Sequence, residues 1–280
     1  MCDFDLERVL ARVDEILPKK PVIKFAVSKQ PVSAFDSKLG GIPYFPKNMD
    51  FPLGKEGAFK DQPLCLLAQL NFDALPHISG FPTTGILQIF IAPDDVYGMS
   101  FEHGEGRTAQ KNYRVIYHKE IITDENCLMS CDDIPKYTGN ETCYLPFEGE
   151  YKLIVQGDGL MSVTPSDYKF NEVFVQAYNE LYDEPIDEIW DLGDDVVDTV
   201  YDMIDFPDAI IGGYPIFIQD DPRWGGLKSL DTVLFELDSV YDDANGIDIS
   251  WGDSGTGSFL ISAKDLAECN FSRVLYNYDS

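Results

Sequence analysis

The chain has 280 residues, of which 44% are apolar and 13% aromatic, enough to fill a core, and this excludes a globally disordered protein. Lys and Arg number 21 against 49 Asp and Glu, a formal net charge of −28. Such a surface repels phosphate backbones and anionic headgroups, so neither nucleic acid nor membrane is expected as a partner.

The first residues, Met1 to Glu7, are acidic and open no long apolar run, which reads as a cytoplasmic chain without a secretory signal. Residues 3–17 place Phe4, Leu6, Val9, Leu10, Val13, Ile16 and Leu17 on one helical stripe, with Asp3 or Asp5 as cap and Pro18 as stop. From Val22 to about Gly159, short apolar runs alternate with Gly and Pro: VIKFAV, LCLLAQL, GILQIFIA, YRVIYH and YKLIVQ. These predict β-strands joined by turns. Helical spacing returns at about 166–181, capped by Ser166 or Asp167, and again at about 196–204. Strand texture resumes at YPIFI, TVLFEL, GSFLI and RVLYNY. Between Asp183 and Asp208 there are eleven carboxylates and no Lys or Arg, which is either a solvated face or a patch for a basic partner.

Four segments recur in order. Leu39–Phe45 (LGGIPYF) is echoed by Ile211–Phe217 (IGGYPIF), and Leu66–Asn71 by Val233–Asp238. Gly85–Ile91 is echoed by Gly255–Ile261, and Arg114–Tyr117 by Arg273–Tyr276. The Gly40-Gly41-x-Pro43 and Gly212-Gly213-x-Pro215 steps suit a sharp turn or a close backbone approach before a core segment. Gln69 and Glu236 interrupt apolar runs and, if buried, need the backbone of a neighbouring loop as partner. The resulting expectation is an α+β fold: a duplicated, mainly antiparallel β unit with an N-terminal helix and an acidic helical connection. Residues 1–160 would hold the first β-rich unit and 161–280 the acidic connection and the second.

The segments SKLGGIPYFPKNMDFP (37–52), PLCLLAQLNFDALP (63–76), GILQIFIA (85–92), IGGYPIFIQDDPR (211–223), LFELDS (234–239), ISWGDSGTGSFLI (249–261) and FSRVLYNYD (271–279) together resemble the YwqG family, bacterial proteins of unknown function. The resemblance implies a β-rich core and carries no catalytic residue or cofactor with it. Relatives near bacterial toxin systems suggest an immunity-like role.

The candidate chemistry is sparse. Gly252-Asp253-Ser254-Gly255 resembles the setting of a serine nucleophile, but Thr256 stands where a second Gly is needed. His77, His103 and His118 lie in no catalytic context. A turn into the strand GSFLI explains the tetrapeptide, with Asp253 or Ser254 capping backbone N–H groups. The six cysteines (2, 65, 127, 131, 143 and 269) are too few for a disulfide scaffold. Cys127, Cys131 and Cys143 could hold zinc only with a fourth ligand such as His103 or His118. Asp242, Asp243, Asn245 and Asp248 crowd round Gly246 without the spacing of a calcium loop. No metal and no cofactor are therefore expected.

The reading that follows is a non-enzymatic interaction protein whose acidic surface binds a protein partner, a basic one being the best match. The alternative is a small-molecule-binding protein or an unrecognised hydrolase with an aromatic and carboxylate cleft between the two repeats. In either case Arg223, Trp224, Trp251 and Asp253 are the candidate binding residues, and Tyr276 is an aromatic of the repeated motif.

Overall fold

The computed structural model describes residues 4–280. Asp3 lies outside them. Asp5 caps α1 (Leu6–Ile16), its carboxylate accepting the Arg8 N–H at 3.1 Å, one of the donors that a helix start leaves unpaired. Val9 and Val13 form the most buried part of the predicted stripe.

Twelve strands follow in the described residues: β1 (Lys20–Ser28), β2 (Lys38–Gly40), β3 (Cys65–Asn71), β4 (Ile86–Ile91), β5 (Tyr113–His118), β6 (Glu150–Met161), β7 (Ala209–Gly212), β8 (Thr232–Asp238), β9 (Val240–Asp242), β10 (Ile247–Ile249), β11 (Thr256–Ile261) and β12 (Val274–Asp279). Between β6 and β7 come α2 (Phe170–Leu181) and α3 (Asp194–Asp202); α4 (Ala263–Ala267) separates β11 from β12. Apart from the small β9–β10 hairpin, all strands join one antiparallel sheet in the order β12-β11-β8-β7-β1-β6-β2-β3-β4-β5.

This architecture corrects the sequence expectation of an α+β fold built from a duplicated unit with an acidic helical connection. The fold is mainly antiparallel β, a ten-stranded sheet curled into a nearly closed barrel, with few helices. The long β1–β6 pairing, Lys20↔Met161 through Ser28↔Lys152, runs through the middle of the sheet, so strands from both ends of the chain hydrogen-bond into one surface. Residues of about 160–205, expected as the connection, hold α2, a short 3-10 turn and α3, and these helices pack on the outside. YPIFI is not a strand. Its backbone donors go to side chains instead: Ile216 N–H to Glu236, Phe217 N–H to Ser166 and Ile218 N–H to Asp279. The boundary read at 160 and 161 falls at the last residues of β6.

Alternation along the strands sends one face inward. Phe25, Leu70, Ile89, Phe235, Phe259 and Tyr276 share an interior that draws on nearly the whole sheet. The edge strands β5 and β12 meet there without a ladder. Tyr113 Oη donates to the Val274 carbonyl at 2.6 Å, Gln110 Nε2 to the Phe271 carbonyl at 2.6 Å, and the Tyr113 and Tyr276 rings meet edge to face. Outside, α1, α2 and α3 pack through Val9, Val13, Phe174 and Val200.

The outer face also holds a buried polar layer. Gln69 Oε1 accepts the Tyr44 N–H at 2.8 Å, while its amide donates to Ala34 and Asp36 carbonyls. Glu236 accepts the Ile216 N–H at 3.1 Å and the Ser258 hydroxyl at 2.8 Å. Tyr44 and Ile216 each follow a Gly-Gly-x-Pro step. Gly40 and Gly212 both have positive φ, and a Cβ on either would meet a backbone carbonyl oxygen at 2.4 Å. Enclosure pushes the Glu236 carboxyl up to about 8, because no cation offsets the loss of water. His118, bonded to Gln88 Oε1 at 2.9 Å, is pulled down to about 4 by the same burial.

Candidate functional site

A cleft of about 410 Å³ opens at one end of the barrel, where the loop after β4 and the loop after β7 flank strand β12. Each loop is built to hold its shape. In the first, Asp94 Oδ1 accepts the Gly98 N–H at 2.7 Å, and Gly98, at φ 79°, passes so close to the Asn112 carbonyl that no Cβ fits. A 3-10 turn, Gly104–Thr108, then brings Arg107 across the seam, where it donates to the Pro222 carbonyl at 3.1 Å and to Asn277 Oδ1 at 2.6 Å.

The second loop is anchored by Arg223, only 1% exposed. Its guanidinium pairs with Asp167 at 2.9 Å and with Asp221, and lies over the Tyr168 ring at 4.8 Å. Asp221 in turn accepts the Tyr168 N–H at 2.9 Å, and Asp279 Oδ2 accepts the N–H groups of Ile218 and Gln219. Arg223 Nη1 and Asp279 Oδ1 are enclosed without a hydrogen bond. The rigid backbone so formed presents the next residue, Trp224, to solvent. The loops touch: a Cβ on Gly104 would lie 3.3 Å from the Gly225 carbonyl oxygen.

Phe101 and Trp224, each 72% exposed, are the most exposed large apolar side chains among the described residues, and both line this cleft. Polar groups surround them. Glu102 pairs with Lys111, whereas Asp220 is in no ion pair among the described residues. Arg107 also has no carboxylate partner there, and burial lowers its pKa. Burial raises that of Asp279, only partly offset by its two backbone donors. His103 lines the cleft as well, with no serine or cysteine beside it in the lining other than Ser100. The arrangement offers apolar faces, a net excess of carboxylates and hydrogen-bonding groups, which is the equipment of recognition.

Of the four residues expected to bind, Arg223 and Trp224 belong to this loop, one as anchor and one as exposed face. Trp251 is fully enclosed at the end of the interior, edge to face with Tyr97 at 5.2 Å and tilted on Tyr278 at 5.8 Å, with Gly257 against its ring. It reaches the cleft only through Tyr278. Asp253 sits exposed on the turn closed by Gly255 N–H to Trp251 O and does not line the cleft. Gly252 and Ser254 shape that turn at φ 57° and 89°, and Tyr276 stacks on Phe259 at 4.3 Å inside the barrel. Gly41 and Gly213 continue the left-handed steps before Pro43 and Pro215.

Sequence reasoning missed Phe101, Arg107 and Asn277. The one local signal was an apolar aromatic in the polar loop GMSFEHGEG. Cys127, Cys131 and Cys143 are exposed, while His118 is committed to Gln88. Among the described residues no group of three or more His, Cys, Asp or Glu is placed to hold a metal. Asp242 spends its carboxylate on Asn245 within the β9–β10 hairpin. No helix of the described residues is long and apolar enough to cross a membrane.

A family profile described as a domain of unknown function, DUF1963, matches residues 37–280, whereas no curated protein matches the chain. That span takes in every strand from β2 to β12, so all of the sheet but β1, with both Gly-Gly-x-Pro steps and both loops of the cleft, and the chain belongs to the DUF1963 family.

Proposed function

We propose that the protein is a non-catalytic, YwqG-like interaction protein of the cytoplasm that captures a basic protein partner, with an immunity-like role as one setting for such capture. The cleft at the barrel end receives a Lys or Arg side chain of that partner between Phe101 and Trp224. The supporting observation is the exposure of these two rings at one cleft whose rim carries the unpaired Asp220. Aromatic faces attract cations, and exposed aromatics set in a rigid loop lose little entropy on binding. The net charge of −28 adds long-range attraction for a basic surface. A hydrolase or small-molecule site centred on Trp251 and Asp253 gains no support, since one is enclosed and the other lies on a separate turn.

The test is affinity capture from native lysate at about 10 mM salt, identification of the retained protein by mass spectrometry, and titration with the purified partner. Affinity should fall steeply towards 1 M salt, as the Debye length shrinks from about 30 to 3 Å. Trp224→Ala should weaken it by roughly 30-fold, the loss expected of an aromatic hot spot. Retention of an acidic or neutral partner, or full affinity in Trp224→Ala and Phe101→Ala, refutes the reading.

A further inference from the structure

The barrel-end cleft holds a cation without a counter-charge. Arg107 lines it, part-buried, and gives one N–H to the Pro222 carbonyl at 3.1 Å and one to Asn277 Oδ1 at 2.6 Å. Both acceptors are neutral. Arg12, Arg223 and Arg273 each hold a carboxylate, whereas none lies close enough to Arg107 to offset its burial, in a chain with 49 Asp and Glu. Among the described residues Arg107 Nε makes no hydrogen bond, yet it is not enclosed as Arg223 Nη1 is, so solvent and a ligand can reach it. Asp279 lines the same cleft but answers neither need: its Oδ2 accepts two backbone N–H groups and its Oδ1 is enclosed.

A half-desolvated guanidinium with free donors calls for a carboxylate, whose two oxygens match its planar fork. A simple anion would enter against a net charge of −28 and the exposed Asp220 on the rim. A ligand that carries its own cation beside the carboxylate avoids that cost and uses both groups. The spacing suits a single amino-acid residue. Arg107 touches Pro222, and Trp224 lies two residues further on, at most about 7 Å of chain. We propose that the basic residue received by this cleft is the last residue of the partner, a C-terminal Lys or Arg. Its α-carboxylate pairs with Arg107, and its side chain passes between Phe101 and Trp224 towards Asp220. An internal Lys would bring only an amide carbonyl to Arg107 and leave the charge unmet. The inference rests on the reading of the cleft as a site for a Lys or Arg side chain, and names where in the partner that side chain stands.

The probes are acetyl-Gly-Ser-Gly-Ser-Lys with a free carboxylate, the same peptide as its C-terminal amide, the free acid extended by one Gly, and free lysine. Each is titrated calorimetrically into the full chain at fixed ionic strength. The free acid should bind at least about tenfold more tightly than the amide, the worth of a hydrogen bond to a charged group. Arg107→Gln should bring the acid down to the level of the amide and leave the amide unchanged, whereas a merely structural role for Arg107 would weaken both alike. Equal binding of acid and amide, both lost in Trp224→Ala, overturns this inference while the reading of the cleft stands. Binding of neither peptide overturns it as well. So does the extended peptide, or free lysine, binding as tightly as the acid. Should Arg107→Gln fail to fold, the acid and amide pair on the unaltered chain still decides.

Discussion

Replacing Glu236 by Gln tests the account of the buried polar layer most directly. Glu236 is fully enclosed, accepts the Ile216 N–H and the Ser258 hydroxyl, and has no cation beside it; burial lifts its carboxyl to about 8 from an ordinary 4.5. The native state therefore holds a proton that the unfolded chain releases near 4.5. Its contribution to stability is complete below that value and is lost as pH rises towards 8. At about 1.4 kcal/mol per pH unit, the loss is roughly 3 kcal/mol by pH 7 and on the order of 5 above pH 8. A glutamine keeps an oxygen for the Ile216 N–H and never ionises, as Gln69 does for the Tyr44 N–H. At pH 5 the two proteins should differ by no more than the about 1 kcal/mol of one rearranged hydrogen bond. By pH 8 the variant should be the more stable by several kcal/mol. Urea denaturation at pH 5, 6, 7 and 8, read as midpoints at constant slope, measures this. Asp238, Asp279 and Asp94 are also raised by burial and give the same sign of slope, but they are common to both proteins. Parallel pH profiles, or a variant less stable throughout, would mean that Glu236 is ionised in the native protein and that the reasoning is wrong.

Three further outcomes are expected. Arg223→Met leaves Asp167 and Asp221 enclosed without their cation and should cost about 3–5 kcal/mol in urea denaturation; a loss under about 1 kcal/mol contradicts the anchoring role. His118, held near 4 by burial, should keep its imidazole NMR signals unchanged from pH 8 to 5.5, its neutral form supporting the fold above about 6.5 and that support fading towards pH 4. A midpoint near 6.5 would exclude that environment. The Cys65 thiol, pushed up to about 11 by burial, has about one molecule in a thousand as thiolate at pH 8 and should be the last of the five described cysteines alkylated by iodoacetamide, as read by peptide mass.

Much of the fold was legible because its signals are local. Asp5, the Val9 and Val13 stripe and Pro18 specify α1, and the short apolar runs GILQIFIA and RVLYNY specify β4 and β12. What failed was weighing the parts. YPIFI has strand texture, yet Pro215 and the acceptors Glu236, Ser166 and Asp279 draw its N–H groups away from any ladder. The fold class was misjudged because pairing between β1, β6 and β7 joins residues up to 190 positions apart, as Val22 and Gly212 are, and no window of sequence holds that information. The cleft was half visible. Trp224 stood out beside Arg223, but Phe101 and Arg107 belong to a loop that meets it only after the sheet has curled.

That curl has a mechanical consequence. Around the ring, neighbouring strands are laced by backbone hydrogen bonds, but β5 and β12 are held by a few rivets: the Tyr113 and Gln110 bonds, the Arg107–Asn277 contact and the Arg273–Glu105 pair. A hoop under load opens at its joint. Thermal breathing of this barrel should concentrate along that line, so the amides of β5 and β12 exchange before those of β1 and β6. A guest seated between Phe101 and Trp224 bridges the two loops that border the joint, and would act as its clasp.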